Sequence, residues 1–431
     1  MTKPLEYRNF RLFDKKNIIL YLFIFIFIYT PFIIPWFNVI HILALISYFF
    51  LLTVFKDKLI DVFKLKVFRV FIFVHITLII YTLILGLSSD NYDNTYYAVS
   101  TIIEVLPVCL FITFYLQRFK ITYTNFLEII LLMGVVQFIF VAGSVLSPDI
   151  RDLTLTYFPK GGNFERVFTI LGEFRMFGLT RYYTFSMPLF MGICLIISFV
   201  LGSQVNKKYF LLIPFYLFSI VVNARIALIA LPIVFGVLFF IQIRQNFFKQ
   251  MMGVIAAGII LFFAILFIEM KAAESYNYNV WTWLDEGFSE IRKISQGEKS
   301  GNMKALTDKM WIFPEKIDLL FGTGEDIFIR RGMNSDIGYV LNLYYGGLIY
   351  CALLYGVYIK FLSSFNRNDK IQKIIFVSII LFLFLANFKG TVFRTNEVIH
   401  GTLLIGVFTI LYNFNKTEDN SEKNEDYIQE N

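Results

Sequence analysis

The chain has 431 residues, 57% of them hydrophobic, 19% aromatic and 16% charged, and carries a formal net charge of +7. Its mean hydropathy of +0.66 lies far from soluble domains, in which about a quarter of residues are charged, so a soluble fold is excluded. The basic residues are spread through the connections between apolar runs and form no dense cluster beside aromatic platforms, which argues against a nucleic-acid partner.

In chain order the apolar runs are 18–36, 38–55, 67–87, 96–116, 126–146, 182–201, 208–223, 226–243, 250–269, 337–359, 372–388 and 398–414. They approach the length that a helix needs to cross a bilayer. Their unbroken Phe, Ile and Leu lack the alternation of barrel strands, so the backbone must satisfy itself within each segment. The predicted architecture is an all-α, polytopic integral membrane helix bundle of about twelve transmembrane helices, a single domain over 1–414. The first run follows a basic lead without a small-residue cleavage site and is expected to be retained as a helix.

Orientation follows from Lys and Arg in the short connections. Lys3, Arg8, Arg11, Lys15 and Lys16, then Lys56, Lys58, Lys64 and Lys66, then Arg118, Lys120, Lys207, Lys208, Arg244, Lys249, Lys360, Arg367, Lys370 and Lys373 fall on one side, predicted to be cytoplasmic. The opposite short loops hold Arg225, Lys389 and Arg394. Both termini are then cytoplasmic, with an acidic tail over 415–431 expected to be disordered. Two long polar loops, 147–181 and 270–336, fall on the extracytoplasmic side. Within the second, 284–294 and 302–312 have the pattern of short amphipathic helices.

Cys109, Cys194 and Cys351 each sit inside an apolar run and show no pairing pattern. The chain has no HExxH and no clustered His and Cys, and Phe321-Gly322-Thr323-Gly324-Glu325 lacks the Lys and Ser of a phosphate loop, so no metal or nucleotide cofactor is expected. Loop 147–181 places Arg151, Lys160, Arg166, Arg175 and Arg181 among glycines. A guanidinium can hold a diphosphate with two parallel hydrogen bonds, although solvated or headgroup-contacting arginines look the same in sequence. Arg225 lies between two runs with almost no loop, as a functional intramembrane charge or a snorkelling anchor. Glu104 and His75 lie inside runs, as functional groups or as satisfied interhelical hydrogen bonds. Arg330 and Arg331 precede Asp336 at the mouth of the tenth run. There a carboxylate could take a proton from a sugar hydroxyl while arginines neutralise a departing phosphate; helix capping by Ser335 and Asp336 is the alternative.

Four patches, Gly172-Glu173-Phe174-Arg175-Met176-Phe177-Gly178-Leu179, Asn223-Ala224-Arg225-Ile226-Ala227-Leu228, Leu320-Phe321-Gly322-Thr323-Gly324 and Ser335-Asp336-Ile337-Gly338-Tyr339-Val340 followed by Gly346-Gly347-Leu348-Ile349, occur in an order that resembles the O-antigen polymerase and ligase superfamily. The likeness is greatest to Wzy-type repeat-unit polymerases. Ligases of this superfamily place a His-Asn pair where Ser335 and Asp336 stand, and neither long loop contains His, which points to a polymerase. Asn302 and Lys304 stand where the family often has an Arg.

The resemblance implies a glycosyltransferase of the bacterial inner membrane that joins undecaprenyl-diphosphate-linked oligosaccharides, one as donor and one as acceptor, in O-antigen or capsule synthesis. It implies Asp336 as the base. Arg175, Arg225, Arg330 and Arg331 would hold the diphosphate, with Arg166 and Tyr339 completing the glycan and diphosphate contacts. A chain-length-determining co-polymerase is an implied partner. Competing expectations are a lipid-linked oligosaccharide flippase or other transporter, which would use Glu104 and Arg225, and an O-antigen ligase.

Overall fold

The computed structural model describes residues 17–31, 38–156, 176, 178–181, 185–242, 289, 292, 296, 309–327, 335–366 and 368–429, with 148, 155, 156, 242 and 417–429 as backbone only. All regular structure among them is helical. The elements are α1 (Ile18–Tyr29), α2 (Val39–Thr53), α3 (Lys56–Lys64), α4 (Lys66–Ser89), α5 (Asp93–Ser100), a π turn (Thr101–Val105), α6 (Leu106–Arg118), α7 (Tyr123–Leu146) and α8 (Pro148–Thr156). After them come α9 (Ser186–Gln204), a 3-10 segment (Lys207–Leu212), α10 (Ile213–Val221), a second 3-10 segment (Arg225–Ile229), α11 (Ala230–Gln242), α12 (Lys316–Phe321), α13 (Gly338–Leu362), α14 (Lys370–Ala386) and α15 (Glu397–Gln429).

Six helices are long and apolar enough to cross a membrane: Lys66–Ser89, Asp93–Arg118, Tyr123–Leu146, Ser186–Gln204, Gly338–Leu362 and Glu397–Lys416. A seventh is reached if α2 and α3, bent by 94°, count as one span. This is a helical membrane protein, but twelve full-length crossings do not appear among the described residues. The predicted runs other than 250–269, which lies outside those residues, do contain helix. Several are too short for a perpendicular crossing of about 20 residues. α1 stops after 12 residues at Thr30, whose left-handed φ of 39° precedes Pro31. α2 has 15 residues and bends where Lys56, Asp57 and Lys58 arrive. α10 has 9 and α11 has 13.

We call the end of the bundle holding Tyr29, Asp90, Ser186 and Glu397 the upper end. α9 is central, with 94% of its apolar stretch buried against 28% for α4. Close approach around α9 depends on glycine: a Cβ at Gly192 would stand 2.5 Å from Phe382, and one at Gly202 2.7 Å from Phe210. α10 and α11 form a hairpin. Phe199 on α9 touches Phe210 below α10 and Phe235 on α11, with ring centroids 5.8 and 5.0 Å away, so both legs share a lower level and the tip at 222–225 points upward. The apolar part of α15 ends near Lys416, yet its backbone stays helical to Gln429 over the predicted irregular tail. Extending an existing helix needs no new nucleus.

Candidate functional site at the upper end

α13 is not one continuous helix. Gly347 adopts φ 66°, ψ −170°, breaking the hydrogen-bond ladder beside Gly346. Carbonyls released inside an apolar bundle must find new donors, and here distant segments supply them. Thr323 donates to Tyr344 O from its amide at 3.0 Å and from its hydroxyl at 3.1 Å. Gly324 N donates to Tyr345 O at 2.8 Å. The Tyr81 hydroxyl reaches Gly346 O at 3.0 Å and Phe321 O at 2.7 Å. The backbones approach so closely that a Cβ at Gly322 would lie 2.3 Å from Tyr345 O, and one at Gly347 2.4 Å from Leu320 O. The third sequence patch is thus locked onto the glycine pair of the fourth.

The first two patches also meet. Asn223, fully buried at the hairpin tip, donates through Nδ2 to Met176 O at 2.6 Å, and Met176 N reaches Val222 O at 3.4 Å. Gly178, at φ 64°, sits against Gln137, whose Oε1 accepts from Leu179 N at 3.3 Å. Arg225 follows this tip, half-buried.

Between the two pairs runs the connector 387–396. Asn387 donates to the Tyr355 hydroxyl at 3.1 Å and accepts from Val392 N at 3.1 Å. Gly390 O lies so near Gly338 that a Cβ there would stand at 2.3 Å. Lys389 Nζ pairs with Asp336 Oδ2 at 2.9 Å. Arg394 reaches Asp326 at 3.8 Å and lies over Tyr97, 5.2 Å from its centroid. Asn396 caps α15 by accepting from Ile399 N at 3.1 Å, and the buried Glu397 accepts from the Thr180 hydroxyl. Behind Arg394 a cavity of about 10 Å³ is lined by His75, Asn94, Tyr97, Thr101 and Tyr350. That is room for one water and not for a sugar.

The predicted site residues separate as follows. Asp336 lies at the start of α13, 37% exposed and held by Lys389. It does not cap that helix; Ser335 instead accepts from Ile337 N at 3.2 Å and donates to Met310 O at 2.8 Å. Tyr339 donates its hydroxyl hydrogen to Phe384 O at 2.6 Å and stacks edge-on against Tyr355 and Phe388. Arg225 is at the hairpin tip. Arg166, Arg175, Arg330 and Arg331 lie outside the described residues, as do most of the predicted amphipathic segments 284–294 and 302–312. His75 Nδ1 meets Phe71 O at 2.9 Å within its own helix.

Sequence reasoning placed Arg181 and Arg394 on the outer side without assigning them to the site, and did not single out Glu397. Two asparagines, two arginine or lysine residues and Glu397 between two apolar runs were the available signal. Among the described residues no group of three or more His, Cys, Asp or Glu stands close enough to hold a metal ion. Compared with protein-family models, curated proteins and solved structures, the chain matches none.

Proposed function

We propose that the protein polymerises undecaprenyl-diphosphate-linked oligosaccharide repeat units, with its upper end on the extracytoplasmic side of a bacterial inner membrane. In this reading the bundle has twelve crossings, several short or broken, and both termini in the cytoplasm. The observation that carries it is the convergence of four patches, spread from 172 to 349, into two locked pairs joined by one connector. The lower turns carry the Lys and Arg excess that the positive-inside rule places in the cytoplasm.

The chemistry required is displacement at an anomeric carbon with a diphosphate as leaving group. Charge develops on phosphate oxygens, and preorganised guanidinium groups stabilise it best where water is excluded. Arg225 and Arg394 are half-buried and Arg181 lies on the same face, and we assign them to that task beside Arg175, Arg330 and Arg331. Asp336, held through Oδ2 by Lys389, is the proton acceptor for the incoming hydroxyl.

A flippase reading draws support from Glu104, a buried carboxylate inside an apolar helix. The two readings separate in the glycan profile of a strain lacking the protein. Loss of long chains with a single capped repeat unit surviving supports polymerisation, because export and ligation still work. Disappearance of the single unit with accumulation of lipid-linked repeats places the defect in flipping or ligation.

A further inference from the structure

At the lower end of the bundle α3 joins the foot of α2 to the start of α4, so it lies across the bundle, bent by 94° from α2. Its nine residues sort by face. Val62 is buried and Ile60 and Phe63 are 48% and 47% exposed on one side; Asp57, Asp61 and Lys64 follow the other at helical spacing, all exposed. A helix in the membrane plane, with an apolar side toward acyl chains and a charged side toward water, is an interfacial helix.

Lys58 falls between those faces and meets α6. Its Nζ stands over the ring of Phe114, 5.9 Å from the centroid. One turn further along α6, the guanidinium of Arg118 stands over the ring of Phe55 at 5.7 Å. Both rings are buried and their centroids are 5.7 Å apart, so two cations from separate elements share one aromatic floor at the foot of the bundle. A ring face attracts a cation without cancelling its charge. Among the described residues neither cation has a carboxylate within ion-pair distance, and Asp61 is taken by Lys64 at 2.7 Å. Partial burial, and after it the charge of Arg118, lowers the Lys58 pKa, as two like charges without a counter-anion do. The start of α3 adds to the same potential. Its N-cap is Phe55, with no side-chain cap, so the positive end of the helix dipole opens under Arg118; Asp57 in that first turn offsets part of it.

We propose that Lys58 and Arg118 hold the phosphate of an anionic phospholipid of the lower leaflet, whose acyl chains lie against α2. The guanidinium offers parallel N–H donors to two phosphate oxygens, and the ammonium adds a compact second charge. The aromatic floor continues upward from Phe55 to Phe111 and Phe50, with centroids 6.4 and 5.3 Å apart in turn. Ile46 and Phe50, one turn apart on α2, are 38% and 37% exposed, which gives acyl chains an apolar strip directly above the cations. A dissolved anion has no use for that strip. Bound in this way, the lipid fixes the bend between α2 and α3 at headgroup level. The inference stands whether or not the protein extends glycans.

The test is native mass spectrometry of the full chain in detergent, exchanged with defined lipids, together with its melting temperature. Wild-type protein is expected to retain phosphatidylglycerol in preference to phosphatidylcholine, to keep it against millimolar inorganic phosphate, and to melt higher with it bound. Lys58→Gln with Arg118→Gln should weaken that retention about 30-fold, from roughly fivefold in each single variant, whereas Lys207→Gln with Lys360→Gln, two exposed lower-end cations elsewhere, should change it less than about twofold. Lys58→Arg with Arg118→Lys keeps both charges and should keep most of the retention, which separates lost binding from lost folding. Equal retention by the Lys58 and Arg118 double Gln variant and the wild type overturns the proposal, as does a wild type that does not prefer phosphatidylglycerol. An equal loss in the Lys207 and Lys360 pair makes the effect one of general surface charge and overturns it too. Displacement of the lipid by inorganic phosphate turns the pair into a free-anion site and overturns the lipid assignment.

Discussion

At the lower end of the bundle the turns are capped by neighbours, and remote segments are tied there through side chains, Tyr209 to Glu128 and Gln372 to Asn413. Thr122 accepts from Asn125 N at 3.2 Å, Asn206 from Lys208 N at 3.0 Å and Asp369 from Gln372 N at 3.1 Å, each two or three residues away. At the upper end the partners are remote: Asn223 and Met176 are 47 residues apart, Lys389 and Asp336 53, and Tyr81 and Gly346 265. Local caps make a turn that can tolerate change one residue at a time. Long-range locks hold a fixed arrangement of broken backbone and charge, and they cannot be altered singly without loosening the others. That is the construction expected where a reaction needs groups held in place.

The contrast can be broken most severely at Gly347. Its φ 66°, ψ −170° lies in a region essentially restricted to glycine, and a Cβ would meet Leu320 O at 2.4 Å, so Gly347→Ala should cost about 3 kcal/mol or more. The expected result is a collapse of the monodisperse peak and a large fall in melting temperature. Gly356, nine residues along the same helix and with nothing within 4 Å of its Cβ position, is the control. Gly356→Ala should be neutral or stabilising by up to about 1 kcal/mol, and equal effects at the two sites would remove the case for the lock.

Next in size is Arg394→Ala. If Arg394 stabilises the leaving group, chain extension should fall about 100-fold while the melting temperature moves by only a few degrees; a fall in stability without loss of rate would make it a scaffold residue pairing Asp326. The smallest effect belongs to the lower end. Asp369→Ala removes one helix cap and should cost about 1 kcal/mol with polymer length unchanged in the glycan profile. A lower-end cap that shortened the polymer would erase the distinction between the two ends.

How much of this was legible in the sequence differs by residue. Hydropathy located α4, α7, α9 and α13 because a span is a local property of about 20 residues. Twelve apolar runs yield six full-length helices among the described residues, because α1 stops at Thr30 before Pro31 and α2 bends after Thr53 where charged residues arrive. Hydropathy also does not separate the central α9 from the peripheral α4, since lipid and protein interiors are equally apolar. Gly346-Gly347 was visible as a pair, but its use as a break that hands carbonyls to Thr323 and Gly324 is tertiary. Glu104 was visible as a buried charge; its partner His41 was not, because a π turn one helix away decides which side chain reaches it. The connector 387–396 was readable only as a short charged turn, and its role as the bridge between two patch pairs exists only in three dimensions.

The most direct test is reconstitution of the full chain in vesicles whose only substrate is a polyprenyl-diphosphate-linked oligosaccharide, without nucleotide sugar, followed by separation of the products by size. The account predicts a ladder of lengthening glycans and one released polyprenyl diphosphate for each unit added. Transfer of intact lipid-linked substrate between leaflets with no lengthening would contradict it.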